Sequence, residues 1–246
     1  MAAKTTAVPQ DGGGKTRLVT LAIDIGGTGV KIMALDADGK PLTERFREPT
    51  PKPPTPKAIL EALDRMKTTM PEFDRVGVGF PGVIKGGKTL TAANLNPGWV
   101  GFPLQKTLER MWRKPVRVAN DAAVQGYAAI RGQGVELLLT VGTGLGSAIF
   151  SDGHLCPGLE LGHHPWRKKT YEDYLGRSGL KKYGKKQWNK LLRLAVAQTA
   201  ATFNWDTLYI GGGNNKDITG SLGPNIKIVS NEDGLLGGVA LWEDQP

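Results

Sequence analysis

Residues 21–31 read LAIDIGGTGVK, an apolar strand that enters a Gly-rich turn and leaves it as a second strand ending near Asp38-Gly39. Residues 137–146 read LLLTVGTGLG and repeat this pattern, with Asp152-Gly153 after the outgoing strand. Each copy predicts strand, Gly-Thr-Gly turn, strand and Asp-Gly turn. Glycines let backbone N–H groups approach an anion closely, and the threonine hydroxyl adds a donor. One such turn usually only closes a hairpin, but two copies predict a pair of turns that clamp a phosphate chain, and hence phosphoryl transfer.

The chain has 246 residues, enough for two lobes with cores of their own or for one large domain, and 39% of them are hydrophobic. Its longest apolar stretch, 137–150, is interrupted by threonines and glycines. We therefore predict no membrane span and no signal-peptide core, and expect a cytoplasmic protein. Cys156 is the sole cysteine, which excludes an internal disulfide and a Cys-rich zinc site and fits a reducing compartment.

Positive charge is concentrated in one segment. The net charge is +9, and residues 167–193 contain ten Lys and Arg residues against only Glu172 and Asp173. Clustered basic residues focus a field that attracts polyanions such as phosphate chains or nucleic acid. A solvated helix face would have the same composition, and the sequence leaves both interpretations open.

Strands alternate with helices along the chain, which predicts an α/β fold. Residues 1–16 are polar, Gly-rich and aperiodic, so we expect a disordered tail. The remainder divides into a smaller α/β lobe, 17–118, and a larger α/β lobe, 119–246, whose last helix can pack back on the first lobe. The predicted helices are about Lys57 to Met70, Leu104 to Trp112, Ala122 to Ile130, Lys185 to Phe203 and Leu235 to Trp242.

Asn120-Asp121 lies where a short strand meets the next helix. A carboxylate there can reach a cleft between lobes and accept a proton from a hydroxyl. Asp before Ala-Ala-Val is also a good helix N-cap, so the residues alone leave two roles for Asp121. His163 beside His164 can be a ligand or a surface pair, and Lys31 can be a charge partner or an exposed strand residue.

Five motifs in order resemble the ROK family of sugar kinases and repressors, from about Leu18 to the C-terminus. They are residues 24–31, Asn120-Asp121-Ala122, Gly142-Thr143-Gly144, Glu160-Leu-Gly-His163 and Gly211-Gly212-Gly213. The resemblance implies the actin-like, ribonuclease-H-like duplicated fold with a cleft between two lobes. Within the family, the short chain and residues 91–99 look most like members that move a phosphate from inorganic polyphosphate, and often from ATP, to the 6-hydroxyl of glucose. Relatives are commonly homodimers, so we expect one here.

The resemblance also implies roles for individual residues. Asp121 would be the general base, and Asp24 would position Mg²⁺. The Cys-rich motif of many members is absent, so no zinc is expected. The sugar ligands would be Asn120, Asp121, Glu160, His163 and Glu172. The phosphate donor would be held by Asp24, Gly26, Gly27, Thr28, Lys31, Gly142, Thr143, Gly144, Gly211, Gly212 and Gly213. A basic groove for polyphosphate would consist of Lys168, Lys169, Lys181, Lys182, Lys185 and Lys186.

Three other functions compete with a polyphosphate-dependent glucokinase. A strictly ATP-dependent sugar kinase would leave the basic segment as a solvated surface, and Gly211-Gly212-Gly213 can be a nucleoside site or only a tight turn. A repressor of the same family would need a DNA-reading module, for which residues 1–16 are too few. A nucleic-acid-binding module would need aromatic platforms beside the charge, for which Tyr171, Tyr174, Tyr183 and Trp188 are the candidates. We predict no nucleic-acid and no membrane partner.

Overall fold

The computed structural model of the protein describes residues 18–92, 95–230 and 233–243. It contains two five-stranded sheets that share one strand plan. In each sheet three antiparallel strands lie on one side and two further strands, parallel to the central one, lie on the other. The predicted tail, residues 1–16, lies outside the described residues.

The first sheet includes β1 (Thr20–Ile25), β2 (Val30–Leu35), β3 (Phe46–Glu48) and β4 (Arg75–Phe80). A separate small hairpin follows, formed by β5 (Ile84–Lys85) and β6 (Lys88–Thr89), before β7 (Val116–Asn120) completes the sheet. The strand order is β3-β2-β1-β4-β7. The first Gly-rich turn joins β1 to β2, as the sequence predicts.

The second sheet repeats this arrangement in the order β10-β9-β8-β13-β14. The second Gly-rich turn joins β8 to β9, so the duplicated motif occupies the same place in both sheets. The strands from this half of the chain are β8 (Val135–Val141), β9 (Leu145–Ser151), β10 (His154–Leu155), the separate pair β11 (Pro165–Trp166) and β12 (Lys169–Thr170), β13 (Thr207–Gly211) and β14 (Ile226–Ile228).

Five α-helices cover the sheets, and the first begins as its sequence predicts. Thr55 accepts a hydrogen bond from the Ala58 backbone N–H, and Pro56 occupies the first turn. The helices are α1 (Pro56–Met66), α2 (Leu104–Trp112), α3 (Asp121–Ala129), α4 (Tyr171–Leu175) and α5 (Arg177–Phe203). Short 3₁₀ segments are Lys67–Thr69, Pro97–Trp99, Leu161–His163, Asn215–Asp217, Asp233–Gly238 and Ala240–Trp242.

Alternation along the central strands sends neighbouring side chains to different cores. Leu21 and Ile23 of β1 pack with α1 and α2, whereas Ala22 packs with the C-terminal 3₁₀ segment. In the second sheet Leu137 and Leu139 pack against α5, while Leu138 packs with Ala122 of α3. Helix α3 also contacts β4. It therefore lies between the two sheets, and its first residue is Asp121.

The C-terminal segment, 233–243, leaves the second sheet and packs on the first. Leu235 and Val239 join Ala22, Met33 and Leu35 in one apolar cluster. Gly77 and Gly238 approach so closely that a Cβ on Gly77 would collide with the Gly238 backbone. The predicted helix here was wrong in type, because the segment is 3₁₀ rather than α-helical.

The longest helix also differs from its prediction. Helix α5 begins at Arg177 rather than near Lys185, and Gly184 interrupts it with φ 71° and ψ 159°. Glycine adopts this conformation readily, so one helical element changes direction there. At the other end of the chain, α1 stops at Met66 and continues to Thr69 only as a 3₁₀ turn.

The junction between the lobes lies at the end of β7. The predicted boundary between residues 118 and 119 falls inside this strand, which continues to Asn120 before α3 starts. The assignment of 17–118 and 119–246 as separate domains stays a prediction. Across the described ranges, we find no helix with the length and apolar character that a membrane crossing requires.

Candidate active site

A cleft of about 420 Å³ separates the two Gly-rich turns. Both lobes contribute to its walls, and the start of α3 lies along its floor. Most residues selected from the sequence line it: Asp24, Gly26, Gly27, Thr28, Lys31, Asn120, Asp121, Gly142, Thr143, Gly144, Glu160, His163, Glu172, Gly212 and Gly213. The fold thus gathers the candidate sugar ligands and most of the candidate donor ligands in one cavity.

The first turn lines this cleft and contains two backbone N–H groups that find no acceptor among the described residues. The Gly26 N–H donates to the Gly29 carbonyl at 3.0 Å, and Thr50 Oγ1 donates to the Gly26 carbonyl. The backbone N–H groups of Gly27 and Thr28 form no hydrogen bond with any other described residue. Both residues are exposed. Such adjacent free N–H groups are typical of an anion-binding turn.

Asp24 and Lys31 stand opposite each other behind the first turn. They are register partners in β1 and β2, and Lys31 Nζ lies 2.6 Å from Asp24 Oδ2. The side chain of Lys31 is thus a charge partner of Asp24 as well as part of the cleft wall. Because the ion pair balances the lysine charge, the carboxylate and ammonium together add little net charge to this part of the cleft.

No group of three or more His, Cys, Asp or Glu side chains within 18–92, 95–230 and 233–243 could hold a metal ion. Mg²⁺, however, is commonly held by one or two carboxylates together with water and substrate phosphates. Asp24 supplies one such hard oxygen ligand beside the turn whose N–H groups face the cleft. The residues present therefore fit a Mg²⁺ ion that arrives with a phosphate donor.

The second Gly-rich turn is closed by a similar backbone hydrogen bond, but different parts of the chain hold it in place. The Gly142 N–H donates to the Gly144 carbonyl at 3.0 Å, and Thr143 is exposed. The backbone N–H of Arg177, at the start of α5, donates to the Gly142 carbonyl at 2.8 Å. Asn214 Nδ2 also donates to that carbonyl, at 3.0 Å. The second turn is therefore fixed by groups from two distant parts of the chain.

Glu172 of α4 is hydrogen-bonded to the backbone just after the second turn. Its Oε2 accepts a hydrogen bond from the Leu145 backbone N–H at 2.9 Å. A Cβ on Gly144 would collide with this carboxylate, so glycine is required for the contact. Glu172 also lines the cleft. The same side chain can thus order the turn and face a bound sugar.

Asp121 occupies the floor of the cleft at the first position of α3. Its Oδ1 accepts a hydrogen bond from the Ala122 backbone N–H at 2.8 Å. Burial, with a smaller contribution from the negative charges of Asp24 and Glu160, raises the pKa of Asp121 to about 7. Carboxylates with a pKa near the working pH are suited to general base catalysis.

Asn120 is the N-cap of α3. Its Oδ1 accepts from the Ala122 N–H at 2.8 Å, and its Nδ2 donates to the Gly82 carbonyl at 3.2 Å. Both functional atoms of the amide are engaged within the protein, while the side chain still lines the cleft. Capping and exposure of Asp121 to the cleft therefore coexist, with Asn120 sharing the capping role that the sequence offered to Asp121 alone.

Glu160 and His163 form the other end of the cleft. The 3₁₀ segment Leu161–His163 brings them together, with the His163 N–H donating to the Glu160 carbonyl at 3.1 Å. Burial raises the pKa of Glu160, the nearby Glu172 raises it further, and His163 opposes this effect. These three side chains and Asp121 offer the pattern of donors and acceptors that sugar hydroxyls require.

Some residues selected from the sequence lie elsewhere. Gly211 is inside β13 and off the cleft wall, where a Cβ would meet Gln125 Nε2 at 2.7 Å. Gly211 is therefore a packing glycine in this structure. The proposed groove lysines are all exposed and none lines the cleft: Lys168, Lys169, Lys181, Lys182, Lys185 and Lys186. Four of them, Lys181, Lys182, Lys185 and Lys186, lie on α5, whose first residue, Arg177, contacts the second turn.

Aromatic platforms for nucleic-acid bases are largely missing beside this charge. Trp188 is 0%, Tyr171 5% and Tyr174 8% exposed. Trp166 stacks on Tyr171 with ring centroids 4.7 Å apart, so these rings pack against one another. Base stacking needs an accessible ring face. Only Tyr183, which is partly exposed, keeps that possibility among the four candidates.

Several residues that line the cleft were not predicted from the sequence. Pro81 and Gly82 follow β4, and Gly234 comes from the C-terminal segment. Gln125 lies one helical turn after Asp121 on α3, so helical periodicity gave a signal for it. The others are brought together by the tertiary fold.

The chain is similar to known sugar kinases. The model of the ROK family matches residues 20–179. The polyphosphate glucokinase of Mycobacterium tuberculosis is 32% identical over 212 residues, covering 82% of this chain and 79% of that protein.

Among solved structures, the inorganic polyphosphate/ATP-glucomannokinase of Arthrobacter sp. strain KM has a TM-score of 0.82 and 32% identity, covering 93% of this chain and all of its own. A ROK family glucokinase from Streptomyces griseus has a TM-score of 0.72 at 22% identity, covering 91% of this chain and 98% of that one. Together these likenesses confirm the predicted actin-like, duplicated α/β fold.

Proposed function

The chain belongs to the ROK family and is a phosphotransferase that acts on a sugar, and from this premise we propose that it transfers a phosphoryl group from inorganic polyphosphate to the 6-hydroxyl of glucose. The observation that carries the proposal is the position of Asp121, whose pKa is raised to about 7, on the floor of a cleft between two anion-binding turns. The relatives with this activity in their names support the choice of substrates.

In the proposed reaction the sugar oxygen forms a bond to phosphorus while the bridging bond of the donor breaks. Asp121 accepts the proton of the 6-hydroxyl, and the shortened polyphosphate leaves with the electrons of the broken bond. Glu160, His163 and Glu172 hold and orient the remaining hydroxyls. Because little covalent work is required of the protein, positioning and charge stabilisation supply most of the acceleration.

The two turns hold the donor. Free N–H groups at Gly27 and Thr28 bind from one side, and the turn at Thr143 and Gly144 binds from the other. Asp24 would hold Mg²⁺, which when bound neutralises charge on the donor oxygens. Lys31 keeps the Asp24 carboxylate oriented through their 2.6 Å contact.

A purified-protein assay with two donors tests the proposal. Glucose phosphorylation is measured with Mg²⁺ and either polyphosphate or ATP, for the wild type and for Asp121→Ala. We expect the wild type to use polyphosphate in the absence of nucleotide, and the variant to lose this rate. A wild-type rate no higher than that of Asp121→Ala with either donor would refute the kinase assignment.

A strictly ATP-dependent kinase is the second candidate. The exposed groove lysines lie outside the cleft, whereas Gly212 and Gly213 line it, and this arrangement favours a donor that is contained in the cleft. The same assay separates the candidates, because this enzyme would phosphorylate glucose with ATP alone. The assay is repeated with mannose in place of glucose as the acceptor, because the Arthrobacter relative is named a glucomannokinase.

A further inference from the structure

A row of charged residues crosses the first sheet beside the cleft. Asp24 of β1 pairs with Lys31 of β2, and Lys31 pairs with Arg47 of β3. Directly opposed residues in antiparallel strands place their side chains on the same face of a sheet. Asp24 and Lys31 line the cleft. The row therefore continues from the cleft wall to an arginine on the edge strand β3.

The side chain of Arg47 covers the first Gly-rich turn. Its Nη2 donates to the Thr28 carbonyl at 3.1 Å. A Cβ on Gly29 would lie 2.6 Å from Nε and 2.6 Å from Nη2 of Arg47, so the guanidinium fills the space that a larger residue at position 29 would need. Gly29 thus provides room for a cation beside the anion-binding turn.

Most of the guanidinium remains available to a ligand. A guanidinium has several N–H donors in a planar fork, and the side chain of Arg47 forms a single hydrogen bond with the described residues, to the Thr28 carbonyl. Within the part of the chain that the structure describes, no carboxylate forms an ion pair with it. Its neighbour Glu48 is paired instead with Arg65, at 3.2 Å. Arg47 is also exposed.

Lys31 is already paired with Asp24. Along this row, Arg47 is therefore the first cation without a carboxylate partner. Arginine binds phosphate oxygens in a bidentate manner and keeps its charge at any physiological pH. Arg47 does not itself line the cleft, but its Nη2 lies 3.1 Å from the carbonyl oxygen of Thr28, which does. A phosphate chain bound at Thr28 that leaves the cleft on the β3 side of the turn would therefore meet this fork.

We propose that Arg47 is a donor-binding residue that holds the phosphates beyond the one being transferred, at the outer edge of the first turn. The inference rests on the proposed function in one respect, namely that the turns hold a phosphate chain. It adds a subsite on the edge strand of the first lobe, separate from the lysines of the second lobe. Arg47 takes no part in proton transfer, so its contribution is to donor affinity.

The test compares Arg47→Ala and Arg47→Lys with the wild type. We expect the KM for tripolyphosphate and for longer polyphosphate to rise about tenfold in Arg47→Ala, since a charge-assisted hydrogen bond is lost, with kcat and the KM for glucose nearly unchanged. Arg47→Lys keeps the charge without the fork and should fall between the two. Arg110→Ala removes an exposed charge from α2 in the same lobe and is the matched control.

Gly29→Ala supplies an independent test that keeps the arginine. The added methyl group displaces the guanidinium from its place over the turn, so the donor KM should rise as it does in Arg47→Ala. If Arg47 only braced the turn, kcat and the unfolding temperature would fall together and the donor KM would not change selectively. That result in the folded variants would overturn the proposal.

Calorimetric titration with inorganic tripolyphosphate, without sugar, separates this inference from the proposed function. Weaker binding in Arg47→Ala than in the wild type supports the subsite even if glucose is not the acceptor. Equal binding by both proteins overturns the subsite even if the wild type is an active kinase. Absence of tripolyphosphate binding by the wild type also overturns it, while ATP-dependent glucose phosphorylation would still support a kinase.

Discussion

The two Gly-rich turns have nearly the same sequence and the same place in their sheets, but their surroundings differ. The first turn is braced by side chains from the edge of its own lobe, Arg47 and Thr50, and it lies beside the Asp24–Lys31 ion pair. The second is braced by the start of α5, by Asn214 and by Glu172. One turn is surrounded by charge, and the other is fixed by a dense set of hydrogen bonds to its backbone.

This difference indicates that the two Gly-rich turns have different roles. Charges near the first turn can affect the reacting groups directly, because electrostatic interactions are strong over short distances in a partly buried site. The hydrogen bonds at the second turn mainly determine how well its N–H groups are preorganised for the donor. We therefore expect changes at Asp24 and Asp121 to alter rate and pH dependence, and changes at the groups that hold the second turn to alter donor binding, as we propose for Arg47 at the first.

Replacement of Asp121 should give the largest effect, because this residue is the proposed general base on the floor of the cleft. In Asp121→Asn we expect kcat to fall by about 10²- to 10⁴-fold, since a general base is lost while its shape is kept. Steady-state kinetics with saturating glucose measure this effect. Asp38→Asn, which changes an exposed carboxylate in a turn of the first sheet, should leave kcat unchanged. A loss confined to KM would show that Asp121 only binds sugar.

Glu172→Ala tests the hydrogen bonds of the second turn. The Leu145 N–H would lose its acceptor, and an unsatisfied buried group costs about 1–3 kcal/mol, which corresponds to a donor KM higher by roughly 5- to 150-fold. Glu172→Gln retains an acceptor oxygen and should cost less. Donor and glucose KM values are measured separately. A rise in the glucose KM alone would assign Glu172 to the sugar and contradict the bracing role.

The pH dependence tests the influence of the first-turn charges. Asp121 must be deprotonated to act, so kcat/KM should rise with pH and level off above about 7, the raised pKa of its carboxyl group. Asp24→Asn removes a negative neighbour, which should lower the pKa of Asp121 and move this rise to lower pH. Glu160→Gln should move it the same way by less. A rise that stays in place in Asp24→Asn would contradict the assigned coupling.

The pH dependence of the unfolding temperature is a second test of the raised pKa of Asp121. The pKa of Asp121 is raised on folding, so the folded protein retains a proton that the unfolded chain loses, and this contribution disappears as pH rises through about 7. Asp121→Asn should therefore have a higher Tm than the wild type at about pH 8 and a similar Tm at about pH 4, close to the ordinary pKa of an Asp carboxyl in the unfolded chain. Calorimetric unfolding at both pH values measures the difference. A constant difference would indicate a cause other than ionisation.

Charge reversal on α5 should give the smallest effect. Lys182 and Lys186 are exposed and lie outside the cleft, so Lys182→Glu with Lys186→Glu should raise the KM for long polyphosphate a few-fold and leave ATP kinetics nearly unchanged. Long chains should lose affinity faster with salt than short ones. The matched control reverses Lys106 and Arg110 on α2. Equal changes in the KM for polyphosphate and for ATP would argue against a polyphosphate groove formed by these lysines.

The sequence predicted the elements of this site better than their surroundings. Repetition within the chain located both turns, and the junction of strand and helix located Asp121, because these signals are local. Arg47 was not predicted because strand register alone brings it to Gly29, from which 17 intervening residues separate it in the chain. Gly211 lies off the cleft wall, and the sequence could not show this because a glycine that packs against Gln125 has the same appearance in sequence as one in a ligand loop.

The predictions for two helices, the C-terminal one and α5, were wrong for physical reasons as well. The C-terminal segment has an apolar pattern that suits an α-helix, but Gly237 and Gly238 contact the backbones of α3 and β4 so closely that tertiary packing determines its form. In α5, Gly184 permits the break that joins two helical stretches into one element. The basic groove, the Mg²⁺ site and the homodimer remain predictions.

The return of the C-terminal segment to the first lobe means that the polypeptide crosses between the lobes at two separate places, from β7 into α3 and from β14 into residue 233 onward. Two crossing points define a line. Rotation of one lobe about that line needs only small backbone changes, whereas sliding along the interface would break the contact between Gly77 and Gly238. Rotation about this line brings the two Gly-rich turns toward or away from each other and keeps the contact between Gly77 and Gly238.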